Sequence, residues 1–185
     1  ETVAEKLVEH SCADRVFFCN SGAEATEGAV KVARRYAWAN GEKDRTEIIC
    51  ATGAFHGRTL AMLAANDRPL FREGFGPSAQ GFTHVEWGDI KSLKNKIGEH
   101  VAAILVEPVQ GEGGARKAPE GYLKLIKENK KFELVISRHP TGKDRLSQNF
   151  LQNYRLVKTL HLPSGVGNAP SRGKKAKKNL NLFSF

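Results

Sequence analysis

A chain of 185 residues with 40% hydrophobic and 26% charged residues has the composition of an ordinary globular protein, which excludes a wholly disordered or fibrous one. The formal net charge of +9 is unevenly spread: residues 1–126 hold 16 Lys+Arg against 17 Asp+Glu, a net of −1, and residues 127–185 hold 13 against 3, a net of +10. A nucleic-acid or anionic-surface role is therefore excluded for the first two thirds and arguable only for the last third.

In chain order, the first pattern is helical (Val3, Leu7, Val8). The single methionine is Met62, so the natural start is expected upstream of Glu1. No signal or transit peptide pattern is present. Val16–Cys19 reads as a buried strand. A helix over residues 24–39 follows, with Ala25, Ala29, Val32, Ala33, Tyr36 and Ala37 on one face, and Asn40-Gly41 stops it. Ile48–Ala51 is a second strand and Thr59–Ala65 a short helical turn. Residues 66–88 hold four glycines and two prolines and read as a long surface excursion. Ile90–Ile97 predicts a helix, Val101–Val106 a fully apolar strand, and Gly121–Lys130 the start of another helix. Strands buried on both faces and separated by helices predict an α/β fold with a mostly parallel sheet. No internal repeat is visible, and no run approaches the roughly 18 apolar residues of a membrane span.

From about Lys127 the periodicity fails. Phe132–Ser137 has strand composition, but nothing beyond it sustains either period. Lys174–Lys178 is a charge run that reads as a solvated end. Gly167–Lys174 is not a phosphate-binding P-loop: five residues separate Gly167 and Gly173 where four are needed, and Lys175 stands where Ser or Thr should follow. The expected division is therefore a structured part at 1–126 and a basic tail at 127–185, either disordered or produced by a change of frame.

Three strand-to-helix junctions carry the candidate chemistry. Ser21-Gly22-Ala23 opens the helix of residues 24–39. Ser21 with Glu24 makes a capping box, and the first backbone N–H groups of such a helix also suit a phosphate; cap and phosphate site are compatible readings. Phe55-His56-Gly57-Arg58 follows the second strand, where open α/β sheets bind ligands. By residue type alone Phe55 is a core aromatic and Arg58 a surface charge. His56 reads as structural, with no carboxylate or nucleophile in sequence reach. Glu107-Pro108-Val109-Gln110-Gly111-Glu112-Gly113-Gly114 ends the most apolar strand. Its simplest account is a strand-terminal charge, with Pro preventing extension. The six histidines lack metal-ligand spacing, so no metal site is expected. Cys12, Cys19 and Cys50 form no C-x-x-C pair. Cys19 and Cys50 lie in apolar strand patterns, which predicts buried reduced thiols.

Taken together the three segments resemble the class III pyridoxal-phosphate aminotransferases, closest to the acetylornithine branch. The resemblance runs to about Ile126. It implies part of the large domain of a fold-type I enzyme, with pyridoxal 5'-phosphate as cofactor. Ser21, Gly22 and Ala23 would hold the cofactor phosphate, and Phe55 would lie on the pyridine ring. Arg58 would fork a substrate carboxylate, Glu107 would wall the active site, and Glu112 would gate the carboxylate pocket. Gly111, Gly113 and Gly114 would keep that loop adaptable. The implied reaction moves the δ-amino group of N-acetylornithine to 2-oxoglutarate, in arginine synthesis. An ornithine or other omega-amino-acid enzyme of the same class is the alternative. The resemblance further implies a homodimeric parent, amino-acid and 2-oxo-acid substrates, and a cytoplasmic location, or the mitochondrial matrix in a eukaryote.

Two parts of such an enzyme are not found. The family places a D-E-x-Q motif on the next strand, where its carboxylate keeps the pyridine nitrogen protonated, and a Schiff-base lysine later in a Gly-flanked loop. Here the corresponding stretch reads Asn129-Lys-Lys-Phe-Glu-Leu-Val-Ile-Ser-Arg138. Lys143, after Thr141-Gly142, is the one lysine in a loosely similar turn. No catalytic residue is therefore assigned, and the chain is expected to be an inactive fragment of an aminotransferase. The competing reading is a basic nucleic-acid-binding or interaction module in residues 127–185, which lacks the aromatic interleaving such a module uses.

Overall fold

The computed structural model describes residues 2–10, 15–128 and 133–136. Its helices are α1 (Thr2–Glu9), α2 (Gly22–Ala39), α3 (Leu60–Ala65), α4 (Ile90–Lys96) and α5 (Tyr122–Glu128). The strands are β1 (Glu47–Ala51), β2 (Phe82–Val85), β3 (Val101–Val106), β4 (Val109–Gln110), β5 (Arg116–Lys117) and β6 (Glu133–Ile136), with a 3-10 turn at Pro69–Phe71. β2, β1, β3 and β6 lie side by side in that order, and every pairing is parallel. The expected α/β class holds, with helices flanking a parallel sheet. β4 and β5 make a separate antiparallel pair beyond the end of β3.

The apolar strands dictate two layers, because successive strand residues point to opposite faces. Ile48 and Cys50 of β1, with Ala103 and Leu105 of β3, pack against Val30 and Ala33 of α2 and Met62 and Ala65 of α3. Ile49, Ala51, Ile104 and Val106 face the other way, onto Leu93 of α4 and Tyr122 and Ile126 of α5. All six residues of β3 are buried, which is what a strand covered on both faces requires.

α2 forms because its N-terminus is doubly capped and a small-residue stripe seals its inner face. Ser21 Oγ accepts from Glu24 N–H at 3.2 Å, and the Glu24 carboxylate accepts from Ser21 N–H at 2.9 Å. The buried stripe is Thr26, Val30, Ala33 and Ala37. It is rotated from the expected face, leaving Ala25 exposed and Val32 and Tyr36 half-buried. Thr26 turns inward because its hydroxyl finds a buried acceptor, the His56 carbonyl, at 2.7 Å.

Two expected elements differ. Val16–Cys19 is not a strand, and Phe17 and Phe18 are more than half exposed; a strand needs a neighbour, and among the described residues none pairs with this segment. Cys19 is accordingly half-buried rather than buried, and its thiol lies 3.6 Å from the Ser21 carbonyl. Cys50 is buried as expected, and burial pushes its thiol pKa well above the ordinary range. Within the expected excursion of residues 66–88 lies β2, a strand of the main sheet. Only Val85 in it is fully buried, so no apolar run announces it. Arg34 of α2 donates to the carbonyls of Thr46, Gln80 and Gly81, and this fixes the chain entering β2. Lys143 and the Lys174–Lys178 run lie outside the described residues.

Candidate functional site

The three junctions singled out in sequence meet at one end of the sheet. β1 and β3 are adjacent and parallel, so the loops after both leave from the same edge. The N-terminus of α2 joins them through Gly57. This residue has φ +134, and a Cβ placed on it would lie 2.8 Å from the Ala23 Cβ. Only glycine permits that approach of the β1–α3 loop to the helix start.

At the helix start, the capping box satisfies Glu24 N–H, and Ala25 N–H donates to the Ser21 carbonyl. Gly22 and Ala23 are the next donors in line, and among the described residues neither N–H has an acceptor. Nothing lies within 4 Å of a Cβ built on Gly22. Two unsatisfied N–H groups on a helix terminus with open space in front form a site for an anionic oxygen. Ser21 itself is committed to the cap. Its hydroxyl accepts from Glu24 N–H, so the backbone, more than this side chain, is what a phosphate would meet.

The Phe55–Arg58 loop is held from three sides. Phe55 N–H donates to Glu107 Oε2 at 3.1 Å, and Thr26 Oγ1 donates to the His56 carbonyl. Asn66 supplies the third tie. Its Oδ1 accepts from His56 N–H at 2.8 Å, and its Nδ2 donates to the Gly57 carbonyl at 2.9 Å. His56 is buried, and among the described residues neither ring nitrogen has a hydrogen-bond partner. Burial, assisted by nearby His84, lowers its pKa to about 3. The imidazole is neutral at physiological pH, in keeping with a structural role.

Arg58 is exposed, with its guanidinium carbon 3.8 Å from the Phe71 ring centroid and 5.3 Å from that of Phe55. The aromatic faces carry the cation and leave its N–H fork free to meet a carboxylate. Among the described residues no acidic group forms an ion pair with it.

Glu107 is buried, and among the described residues its Oε1 has no hydrogen-bond partner. Burial raises its pKa to about 7. The Phe55 N–H pulls it down and neighbouring Glu112 pushes it further up. Glu112 is exposed, and its carbonyl accepts from Arg68 Nη2 at 2.9 Å. The Glu107–Gly114 loop is less adaptable than its glycines suggested. A Cβ on Gly113 would lie 2.7 Å from the Gly53 carbonyl oxygen, so this glycine serves close packing. Buried Gln110 donates to the Thr52 carbonyl at 2.9 Å and accepts from Arg116 Nη2 at 2.6 Å.

Thr26, Asn66, Gln110 and Arg68 were not anticipated as parts of the site. Asn66 follows an apolar helical run and reads as an ordinary helix stop. Gln110 sits inside the glycine-rich segment, but its partner Thr52 is 58 positions away.

Among the described residues no His, Cys, Asp and Glu group suits a metal ion, and no helix is long and apolar enough to cross a membrane.

The family model of the class-III aminotransferases matches residues 1–133. Acetylornithine aminotransferase of Brucella melitensis is 41% identical over 172 residues, covering 90% of this chain and 43% of that relative. The acetylornithine aminotransferase of Rhodobacter capsulatus is 49% identical over 128 residues, 69% of this chain and 33% of the relative. The ornithine aminotransferase of Toxoplasma gondii superposes with a TM-score of 0.69 at 33% identity, over 73% of this chain and 34% of the other. The chain thus spans less than half the length of these relatives. With its parallel sheet, its junction loops and a family match over more than two thirds of its length, the chain belongs to the class-III aminotransferases, a family of pyridoxal-phosphate-dependent transaminases.

Proposed function

We propose that this chain carries the phosphate-anchoring and carboxylate-binding part of an aminotransferase that takes the δ-amino group of N-acetylornithine to 2-oxoglutarate. The observation that carries the reading is the meeting of Gly22 and Ala23, with open N–H groups, and the Phe55–Arg58 loop across the close Gly57 contact. When bound, pyridoxal phosphate supplies an electron sink for breaking the bond to the amino carbon's hydrogen. Gly22 and Ala23 bind its phosphate through backbone N–H groups, and Phe55 covers one side of the space beside them. Arg58 orients the substrate by its carboxylate. Glu107 is able to hold a proton at its unpartnered Oε1 near neutral pH, and Glu112 lies close enough to alter that affinity. Acetylornithine is favoured over ornithine as donor by the relatives' names and by the Phe17-Phe18-Cys19-Asn20-Ser21-Gly22 string. A homodimeric parent belongs to the same reading.

Gly22→Pro tests the anchor. Proline is tolerated at a first helical position, so the helix persists while the donor is lost. Pyridoxal phosphate titrated into the chain, followed by absorbance, should bind at least tenfold more weakly in the variant, since a charge-assisted hydrogen bond contributes about 1.5–3 kcal/mol. Equal affinity would leave the turn a helix cap only. The same reading holds that this chain does not turn over by itself. Borohydride reduction with cofactor and N-acetylornithine should therefore yield no single stoichiometric pyridoxyl-lysine. Such an adduct accompanied by turnover would overturn it.

Arg58→Lys tests the carboxylate contact. In an intact enzyme carrying this loop, the Michaelis constant for N-acetylornithine should rise at least tenfold with cofactor absorbance unchanged. Lysine keeps the charge but cannot form the two-pronged fork. Wild-type affinity in this variant would remove Arg58 from the site.

A further inference from the structure

Arg58 stands in the chain between two residues that α2 holds directly. Before it, the His56 carbonyl accepts from Thr26 Oγ1 at 2.7 Å. After it, Thr59 Oγ1 donates to Glu27 Oε1 at 2.5 Å. Thr26 and Glu27 are consecutive residues of α2. They lie about one turn beyond Gly22 and Ala23, whose open N–H groups begin the same helix. Between the two ties, Gly57 packs against Ala23 itself, where a Cβ would come within 2.8 Å of the Ala23 Cβ. Asn66 and Glu107 also hold this loop, but neither belongs to the helix that carries the anion donors.

The helix does not need either hydrogen bond. A threonine inside a helix ordinarily returns its hydroxyl to a carbonyl one turn back. The Ala23 and Gly22 carbonyls lie 2.9 and 3.1 Å from Thr26 Oγ1, yet the His56 carbonyl is nearer than both. Thr59 already caps α3 by accepting from Met62 N–H. Its proton is left over from that role and goes to half-buried Glu27 rather than to solvent. Both ties therefore serve the relation between α2 and the segment around Arg58.

We propose that Thr26 and Glu27 are positioning residues that hold Arg58 at a set span from the Gly22 and Ala23 N–H groups, so that α2 fixes the length of ligand the site accepts. This goes beyond the anchor and carboxylate readings and rests on both. A ligand with a phosphate at one end and a carboxylate at the other meets α2 twice, once directly and once through Arg58. The second contact is then intramolecular, and its strength depends on how narrowly the two half-sites are spaced. A phosphate-bearing ligand without the carboxylate does not sense that spacing.

Two stable amines test this on the purified chain by isothermal titration: N-(5'-phosphopyridoxyl)-5-aminopentanoate and N-(5'-phosphopyridoxyl)pentylamine. They share phosphate, ring and chain length, and differ only in ending on a carboxylate or a methyl group. The wild type should prefer the carboxylate by at least tenfold, the difference that about 1.4 kcal/mol makes. Glu27→Ala leaves no buried group unpaired and should lower that preference by about threefold, with pentylamine binding unchanged. Thr26→Val keeps the side-chain shape but loses the donor, and should act in the same direction. The two together should remove most of the preference. Thr26→Ser and Glu27→Gln keep a donor and an acceptor, and should restore it. Circular dichroism confirms that each variant is folded like the wild type. Equal weakening of both amines would mean that the ties only support the helix start. An undiminished preference in folded Glu27→Ala and Thr26→Val would mean that Arg58 is placed without them. Either outcome overturns the proposal while leaving the anchor and Arg58 in place. A wild type that binds neither amine would instead remove the phosphate anchor, and one that binds both equally would remove Arg58; the proposal falls with either.

Discussion

Glu107→Gln should make the chain more stable than the wild type at pH 8, by about 3 kcal/mol at most, and give little or no advantage at pH 4.5. Burial lifts the Glu107 carboxyl to about 7, from an ordinary value of 4.5. The folded protein therefore holds this proton more tightly than the unfolded chain does. Raising the pH through the window from about 4.5 to about 7 removes stability, and the loss is complete above it. Glutamine keeps an oxygen for the Phe55 N–H but has no charge to bury. His56 works in the opposite direction: its pKa is lowered to about 3, so its neutral buried form loses stability as pH falls from 6.5 towards 3. Only the difference between variant and wild type isolates Glu107. Urea denaturation of both at pH 5 and pH 8 measures it. Parallel pH profiles for the two proteins would show that Glu107 is already ionised at low cost.

Asn66→Ala should act in the opposite direction and destabilise the fold strongly. Its side chain is the partner of two main-chain groups, His56 N–H and Gly57 C=O, in a position with no exposure. Leaving a buried polar group unpaired costs about 1–3 kcal/mol. Two of them bring the total to a large share of the roughly 5–15 kcal/mol that a folded domain retains. Asn66→Asp separates hydrogen bonding from volume. The aspartate still accepts from His56 N–H, yet it sets an oxygen against the Gly57 carbonyl, so it should rescue little. The urea midpoint and hydrogen exchange at the His56 amide report both effects. A midpoint within error of the wild type in Asn66→Ala would show that Thr26 and Glu107 hold the loop unaided.

Both residues bear on function through the same loop. Phe55 and Arg58 flank His56 and Gly57, so a loosened Asn66 clamp would move the residues assigned to cofactor and carboxylate. Glu107 tethers the loop from the opposite side through Phe55 N–H. The assigned side chains thus sit on a segment whose own backbone is fixed by Asn66, Thr26 and Glu107.

The sequence by itself determined the parts whose cause is local. Val101–Val106 read as a strand buried on both faces because all six residues are apolar, and all six are buried. The start and stop of α2 followed from Ser21, Glu24 and Asn40-Gly41, since a cap is made within a few residues of the turn it closes. The segments Phe55–Arg58 and Glu107–Gly114 follow strands as expected because an apolar run precedes each, whereas the run before Ser21 forms no strand. Tertiary structure alone decided the rest. Val16–Cys19 has a strand's composition, but among the described residues no strand pairs with it, and β2 has a partner but only one fully buried residue. Pairing, unlike hydrophobicity, is a relation between distant segments. The same holds for the site's scaffold. Thr26 meets His56 across 30 positions, Arg68 meets Glu112 across 44, and Gln110 meets Thr52 across 58. Periodicity in a chain reports which face a residue occupies; the acceptor waiting on that face is supplied by another element, and only folding brings the two together.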